Sequence, residues 1–184
     1  MTSLQGHLLI ASPHLLTPAF VRAVILMLGH DEDGATGIIL NQPIKTKITA
    51  LSGKVFEEGF EWDKPLHLGG PVPGSLTVLH ALGSLADREV LPGVYHTADG
   101  CKVQAIIRRK VEPSLVIANS SAWGPGQLEC EFGTGSWLTL PARAEHIFWG
   151  GEVDLWEAVF EEAGARRLSR FLGLRVVPND PRWN

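Results

Sequence analysis

The chain has 184 residues, a formal net charge of −4 and 45% hydrophobic residues against 20% charged ones. That length and balance exclude a disordered chain and predict one globular domain over 1–184 that needs no disulfide or metal to bury a core. The acidic balance argues against a large nucleic-acid footprint, because phosphate neutralisation by basic side chains supplies most of that affinity.

The two cysteines, Cys101 and Cys130, form no CxxC pair and fit a reducing compartment. The start of the chain carries no Lys or Arg before its short apolar run, so no secretory signal is expected. The longest apolar run, Ala23 to Leu28, is far shorter than the roughly 20 residues of a membrane span. A cytoplasmic protein with no membrane partner is the expectation.

In chain order, Leu8 to Ala11 reads as a buried strand ended by Ser12-Pro13. Thr17-Pro18 opens a helical turn to Arg22. Val24 to Leu28 is a central strand, rich in apolar and β-branched residues. The Asp/Gly-rich loop His30 to Gly34 joins it to Gly37–Leu40 as a hairpin, terminated by Asn41-Gln42-Pro43. A short helix is predicted over Thr49–Phe56, then irregular chain over Gly59–Pro65. Strands follow at Leu66–Leu68, Thr77–His80 and Val94–Thr97.

Asp99 caps a helix from about Cys101 to Lys110, with Val103, Ile106, Ile107 and Lys110 on one face. Leu115–Ala118 and Trp137–Leu140 are strands, and Gln127–Phe132 a short helix. Asp154–Ala163 is a helix with the stripe Leu155, Trp156, Val159, Phe160 and Ala163, and Asp154 with Glu157 resembles a capping box. Gly164 is expected to stop it. A second short helix then runs from Arg166 to Leu172, with Leu168, Phe171 and Leu172 buried, and a loose tail begins near Pro178. Consecutive strand signals predict an α+β fold with a mixed, largely antiparallel central sheet and packed helices.

The chemistry-bearing residues are scattered. His30-Asp31-Glu32-Asp33 lacks calcium-loop spacing and reads as a solvated hairpin turn. The seven histidines show no HExxH or H-x3-H pattern, so no metal and no cofactor is predicted. Gly69-Gly70-Pro71 has the glycines of an anion nest, but Pro71 and Pro73 remove amides, so a rigid turn with close backbone approach is favoured. Ser120 and Ser121 lack a nucleophile elbow. The two cysteines read as small apolar residues. Arg166, Arg167, Arg170 and Arg175 are the densest basic cluster, read as a solvated face beside Glu157, Glu161 and Glu162.

In order along the chain, these segments resemble the YqgE/AlgH family. The carrying residues are Gly6 to Pro13, Phe20, Arg22-Ala23-Val24, His30 with Gly34 to Gly37, Asn41-Gln42-Pro43 and Gly69 to Val72. They continue through Leu79-His80, Trp123 to Glu129, Trp137-Leu138, Pro141-Ala142 and Leu155-Trp156. Here Gln42 replaces the arginine of the family's Asn-Arg-Pro, Thr17 the aspartate of its Asp-Pro, and Ala122 the glycine before Trp-Gly.

The resemblance implies an α+β fold and a label of transcriptional regulator that does not itself demonstrate DNA binding. The shared signal is mostly Gly, Pro, Asn and Trp, which suits a kept surface shape more than a catalytic machine. The expectation is a non-enzymatic binding or regulatory protein with an unknown protein or small-molecule partner. Its groove is rimmed by His30, Asn41, Pro43, Gly69, Gly70, Trp123, Gln127 and Glu129. One alternative is an enzyme of unknown class using His30 and Glu129 as acid/base partners. Another is direct DNA binding through the arginines, although no sequence-specific duplex binding is expected.

Overall fold

A computed structural model describes residues 3–51, 60–151 and 153–172. The elements, in order, are β1 (His7–Ala11), β2 (Val24–Asp31), β3 (Gly34–Ile39), β4 (Pro43–Lys47), β5 (Pro65–Leu68), β6 (Thr77–His80), β7 (Arg88–Leu91), β8 (Val94–Thr97) and α1 (Gly100–Arg108). They continue with β9 (Ser114–Ala118), β10 (Ser121–Trp123), α2 (Gln127–Gly133), β11 (Trp137–Pro141), α3 (Ala144–Ile147) and α4 (Leu155–Phe171).

The fold is α+β, with two sheets instead of one. The first has the order β10-β3-β2-β1-β11 and the second β4-β5-β9-β6-β8-β7. Every pairing is antiparallel except that of β5 with β9. Period-2 alternation divides the first sheet between two cores. Leu8, Ile10, Leu26 and Ile38 face Leu79, Val94, Leu115 and Ile117 of the second sheet, and α4 closes the same core with Trp156, Val159 and Ala163. Leu9, Ala11, Ile25, Met27 and Ile39 face the other way, onto Trp123, Leu128 and Trp137. The far face of the second sheet packs Val78, Val116 and Leu66 against Val103, Ile106 and Ile107 of α1.

The sheets join at one corner. Ile39 N–H donates to Gly69 C=O at 2.9 Å, and Leu68 N–H to Gln42 C=O at 2.9 Å. The chain passes from sheet to sheet there twice, between β3 and β4 and between β9 and β10. Corners where strands change sheets need bends, and Asn119 makes this one with φ +65°.

Several elements differ from the sequence reading. Gly164 does not stop a helix: α4 runs unbroken through it to Phe171. An isolated glycine costs a helix only about 1 kcal/mol relative to alanine, less than the packing of the stripe before it supplies. Leu168, Phe171 and Leu172 are exposed, not buried: Leu168 and Leu172 lie on the side of α4 away from Ala163, and Phe171 comes two turns after Ala163, the last buried residue of the stripe. Helix α1 ends at Arg108, and Lys110, with φ +50°, turns off the helical face. Cys101 and Cys130 are exposed on their helices and do not act as apolar core residues. Strands β4, β7 and β10 and the one-turn α3 carried no clear periodicity. Of the helix predicted over Thr49–Phe56, a 3-10 turn occupies Ile48–Leu51 and the remainder lies outside the described residues, as do the tail and Arg175.

Candidate functional site

Four of the eight expected rim residues come together at one end of the first sheet. His30 is the penultimate residue of β2, just past a register shift between Met27 and Gly29. Its side chain is only 4% exposed. Leu4 N–H donates to its Nδ1 at 3.3 Å, so the ring proton sits on Nε2, which donates to Glu129 Oε1 at 2.8 Å. The amide of Glu129 itself, followed by His30, holds the Glu129 carboxyl below the usual carboxylate range. Ser3 Oγ donates to His30 C=O at 3.0 Å, so the segment before β1 closes over the histidine.

Trp123 and Gln127 belong to an adjoining network that centres on Glu131, a residue the sequence reading did not single out. Glu131 Oε2 accepts from Trp123 Nε1 at 3.0 Å and Trp137 Nε1 at 2.7 Å, while Oε1 accepts from Gln127 Nε2 at 3.0 Å. Gln127 Oε1 in turn takes Gly124 N–H at 3.1 Å. Phe20 stacks on Trp123, and the two indoles meet edge to face at 6.1 Å. The available signal was spacing: Glu131 lies four residues after Gln127, hence on the same helix face, between two tryptophans that both need an acceptor when buried.

Beside His30 opens a cleft of about 350 Å³ lined by Ser3, His30, Asp31 and Glu32. Asp31 Oδ1 accepts Asp33 N–H at 3.0 Å, the Asx turn expected of such a hairpin. Asp31, Glu32 and Asp33 are exposed, and Glu129 is half-buried, so this end of the molecule carries a negative rim.

The other four residues lie elsewhere. Asn41 receives Val24 N–H at 2.9 Å and donates to Arg22 C=O at 2.8 Å, holding Arg22 at φ +53°. Val24 begins β2, so Asn41 sits roughly 20 Å from His30, the length of six strand steps. Pro43 is near that end and lines a separate cleft of about 370 Å³ with Lys64, His67 and Trp149. Gly69 and Gly70 fill the corner between the sheets. A Cβ at Gly69 would stand 2.5 Å from Asn119 O, and one at Gly70, where φ is +149°, 2.3 Å from Ser120 O. Ser121 Oγ donates to Gly69 C=O at 3.1 Å. No single groove therefore takes in all eight: the fold separates a His30/Trp123/Gln127/Glu129 surface from the Asn41/Pro43 end, with the glycines as the joint between sheets.

Among the described residues no three His, Cys, Asp or Glu side chains gather as a metal ion would require. No helix among them is long and apolar enough to cross a membrane.

The geometry defines a two-sheet α+β protein whose distinctive motifs build one hydrogen-bonded loop surface and one sheet junction. The family model described as AlgH-like matches residues 8–167, and the chain belongs to that family. A UPF0301 protein of Chlorobaculum tepidum is 38% identical over 166 residues, 86% of each chain. One from Chlorobium limicola is 36% identical over 183 residues, 96% of this chain and 91% of its own. The solution structure of the AlgH protein from Pseudomonas aeruginosa is similar at a TM-score of 0.70 and 27% identity, covering 96% of both chains. The fold also matches that of a Corynebacterium diphtheriae crystal structure, at a TM-score of 0.69 over 85% of both chains.

Proposed function

We propose that the protein is a non-enzymatic binding and regulatory protein of the cytoplasm, recognising a basic partner through the acidic surface around His30, Gln127 and Glu129. The observation that carries this reading is the closed valence of His30. Its Nδ1 accepts from Leu4, its Nε2 donates to Glu129, and its ring is almost wholly covered. A general base must have a nitrogen free to reach its substrate. Asn41, Gln127 and Glu131 are likewise occupied with main chain and indoles. What remains exposed is charge, on Asp31, Glu32 and Asp33.

An acid/base reading draws on one fact, the 2.8 Å contact that puts Glu129 within proton-transfer reach of His30. Duplex recognition has less support on this surface, since a negative rim repels phosphate.

Site-specific photo-crosslinking in cells tests the proposal, with the photoreactive residue in place of Gln127 and, as control, in place of exposed Glu161. The expected result is a discrete adduct from position 127 alone, abolished by Asp31→Lys with Glu32→Lys. Equal adducts from both positions, or an adduct indifferent to the charge reversal, overturn it.

A further inference from the structure

Helix α4 changes character along one face. Leu155, Val159 and Ala163 recur at helical spacing and are buried, as is Trp156 beside them. Continuing the same spacing gives Arg166, Arg167 and Arg170. These arginines therefore extend the sheet-facing stripe beyond its last buried residue: Arg167 and Arg170 are exposed and Arg166 is half-buried, and all three line a groove of about 340 Å³ together with Phe132, Trp137 and Thr139. Arg166 reaches back to Glu162 at 2.9 Å. No ion pair joins Arg167 or Arg170 to another described residue.

The floor of that groove is an open strand edge. β11 is the last strand of its sheet and pairs only with β1 among the described residues. Ser12 N–H donates to Ser136 C=O and Ala142 N–H to Gly6 C=O, bracketing the ladder. Alternation along an antiparallel pair then commits the main chain of Leu138 and Leu140 to β1 and turns that of Trp137, Thr139 and Pro141 outward. Pro141 has no N–H, so the edge offers two donors, at Trp137 and Thr139, beside their carbonyls.

The geometry points to a peptide-docking site in which a short, extended, acidic segment of a partner protein pairs with the Trp137–Thr139 edge and sets its carboxylates against Arg166, Arg167 and Arg170. Main-chain bonds from the edge supply affinity, and the arginines select the charge. A second copy of this chain is a poor occupant, because edge-to-edge pairing would bring two arginine sets together. A long polyanion is disfavoured by the net charge of −4, whereas a short acidic strand needs only the local positive field. The site is separate from the acidic surface around His30 and stands whether or not that surface binds a partner.

Selection from a random ten-residue peptide library displayed on phage tests this, using the full chain and its R166E/R167E/R170E variant, each checked for native circular dichroism. Selected peptides should alternate Asp or Glu with β-branched residues, and should bind the variant at least tenfold more weakly. On the wild-type chain they should slow amide exchange at Trp137 and Thr139, and a proline placed in mid-peptide should abolish binding. Neutral or basic consensus peptides, equal binding by the variant, or unchanged exchange at both amides would overturn the proposal. So would a 20-base-pair duplex displacing the peptide at equal concentration. If no peptide is selected at all, the arginines only guard the edge against aggregation and the proposal is wrong.

Discussion

His30 and Glu129 lie 99 residues apart in sequence and 2.8 Å apart in space, an imidazole N–H held by a carboxylate. The contact ties the end of β2 to the first turn of α2. Glu129 is depressed below its ordinary 4.5, so its contribution to stability is fully present above that value and is lost as pH falls through the lower, folded one. Glu129→Gln removes this acid-side loss while keeping an acceptor for His30. Urea melts between pH 5 and 3 should show a shallower decline for the variant, and parallel curves would count against the assigned role.

Glu131 carries more of the local structure. Replacing it by alanine leaves the N–H groups of Trp123 and Trp137 without their acceptor. An orphaned buried donor costs about 1–3 kcal/mol, so Glu131→Ala is expected to lose roughly 2–4 kcal/mol. Glu131→Gln, which keeps one acceptor oxygen, should lose less. Chemical denaturation measures both, and a red shift of tryptophan emission in the alanine variant reports that the indoles have become wetted.

In the second sheet His96 is buried, and its Nε2 has no hydrogen-bond partner among the described residues. Burial, then the Arg88 guanidinium, push its pKa down to about 4, against a smaller opposing pull from Asp87. The unfolded chain binds this proton near the ordinary 6.5 and the folded chain does not. Stability must therefore fall as pH drops from 6.5 towards 4, by roughly 3 kcal/mol at 1.36 kcal/mol per unit. His67 and His80 are shifted in the same direction. His96→Phe should flatten the slope in this window without abolishing it, and an unchanged slope would refute the assignment.

Glycines separate by what surrounds them. Gly69→Ala and Gly70→Ala each drive a methyl into main-chain oxygen, at 2.5 and 2.3 Å, with an added φ penalty at Gly70. Losses of roughly 2–4 kcal/mol follow from overpacking and backbone strain. Gly74→Ala meets nothing within 4 Å and should stay within about 0.5 kcal/mol of the parent. Thermal melts of the three variants give the comparison.

Much of this was legible from residue pattern. Period-2 and apolar runs located β1, β2, β6, β8, β9 and β11, and the antiparallel α+β class followed from strands in succession. Strand β10 escaped because Ser121-Ala122-Trp123 has no alternation, and is a strand only by pairing with Ala35 to Gly37. Gly164 misled because helix propensity is a local quantity and the packing of α4 is not. At the site, loop composition marked His30, Trp123, Gln127 and Glu129, but Asn41 carries the same signature for a different task, clamping Arg22 at the far end of β2. Composition tells that a polar residue is needed to satisfy backbone. It does not tell which end of a strand that backbone occupies.

The corner through which the chain changes sheets has a consequence for dissecting the molecule. All six strands of the second sheet come from one uninterrupted run, Pro43 to Ala118, entered and left at the same place, while the first sheet is assembled from the segments on either side. By connectivity that run is an insert that a single excision would remove. By burial it is half of a shared interior, since Leu79, Val94, Leu115 and Ile117 share their core with the sheet and the α4 residues that excision would leave behind. Cut out, the insert would carry a greasy face into water, and the remainder would carry its mate.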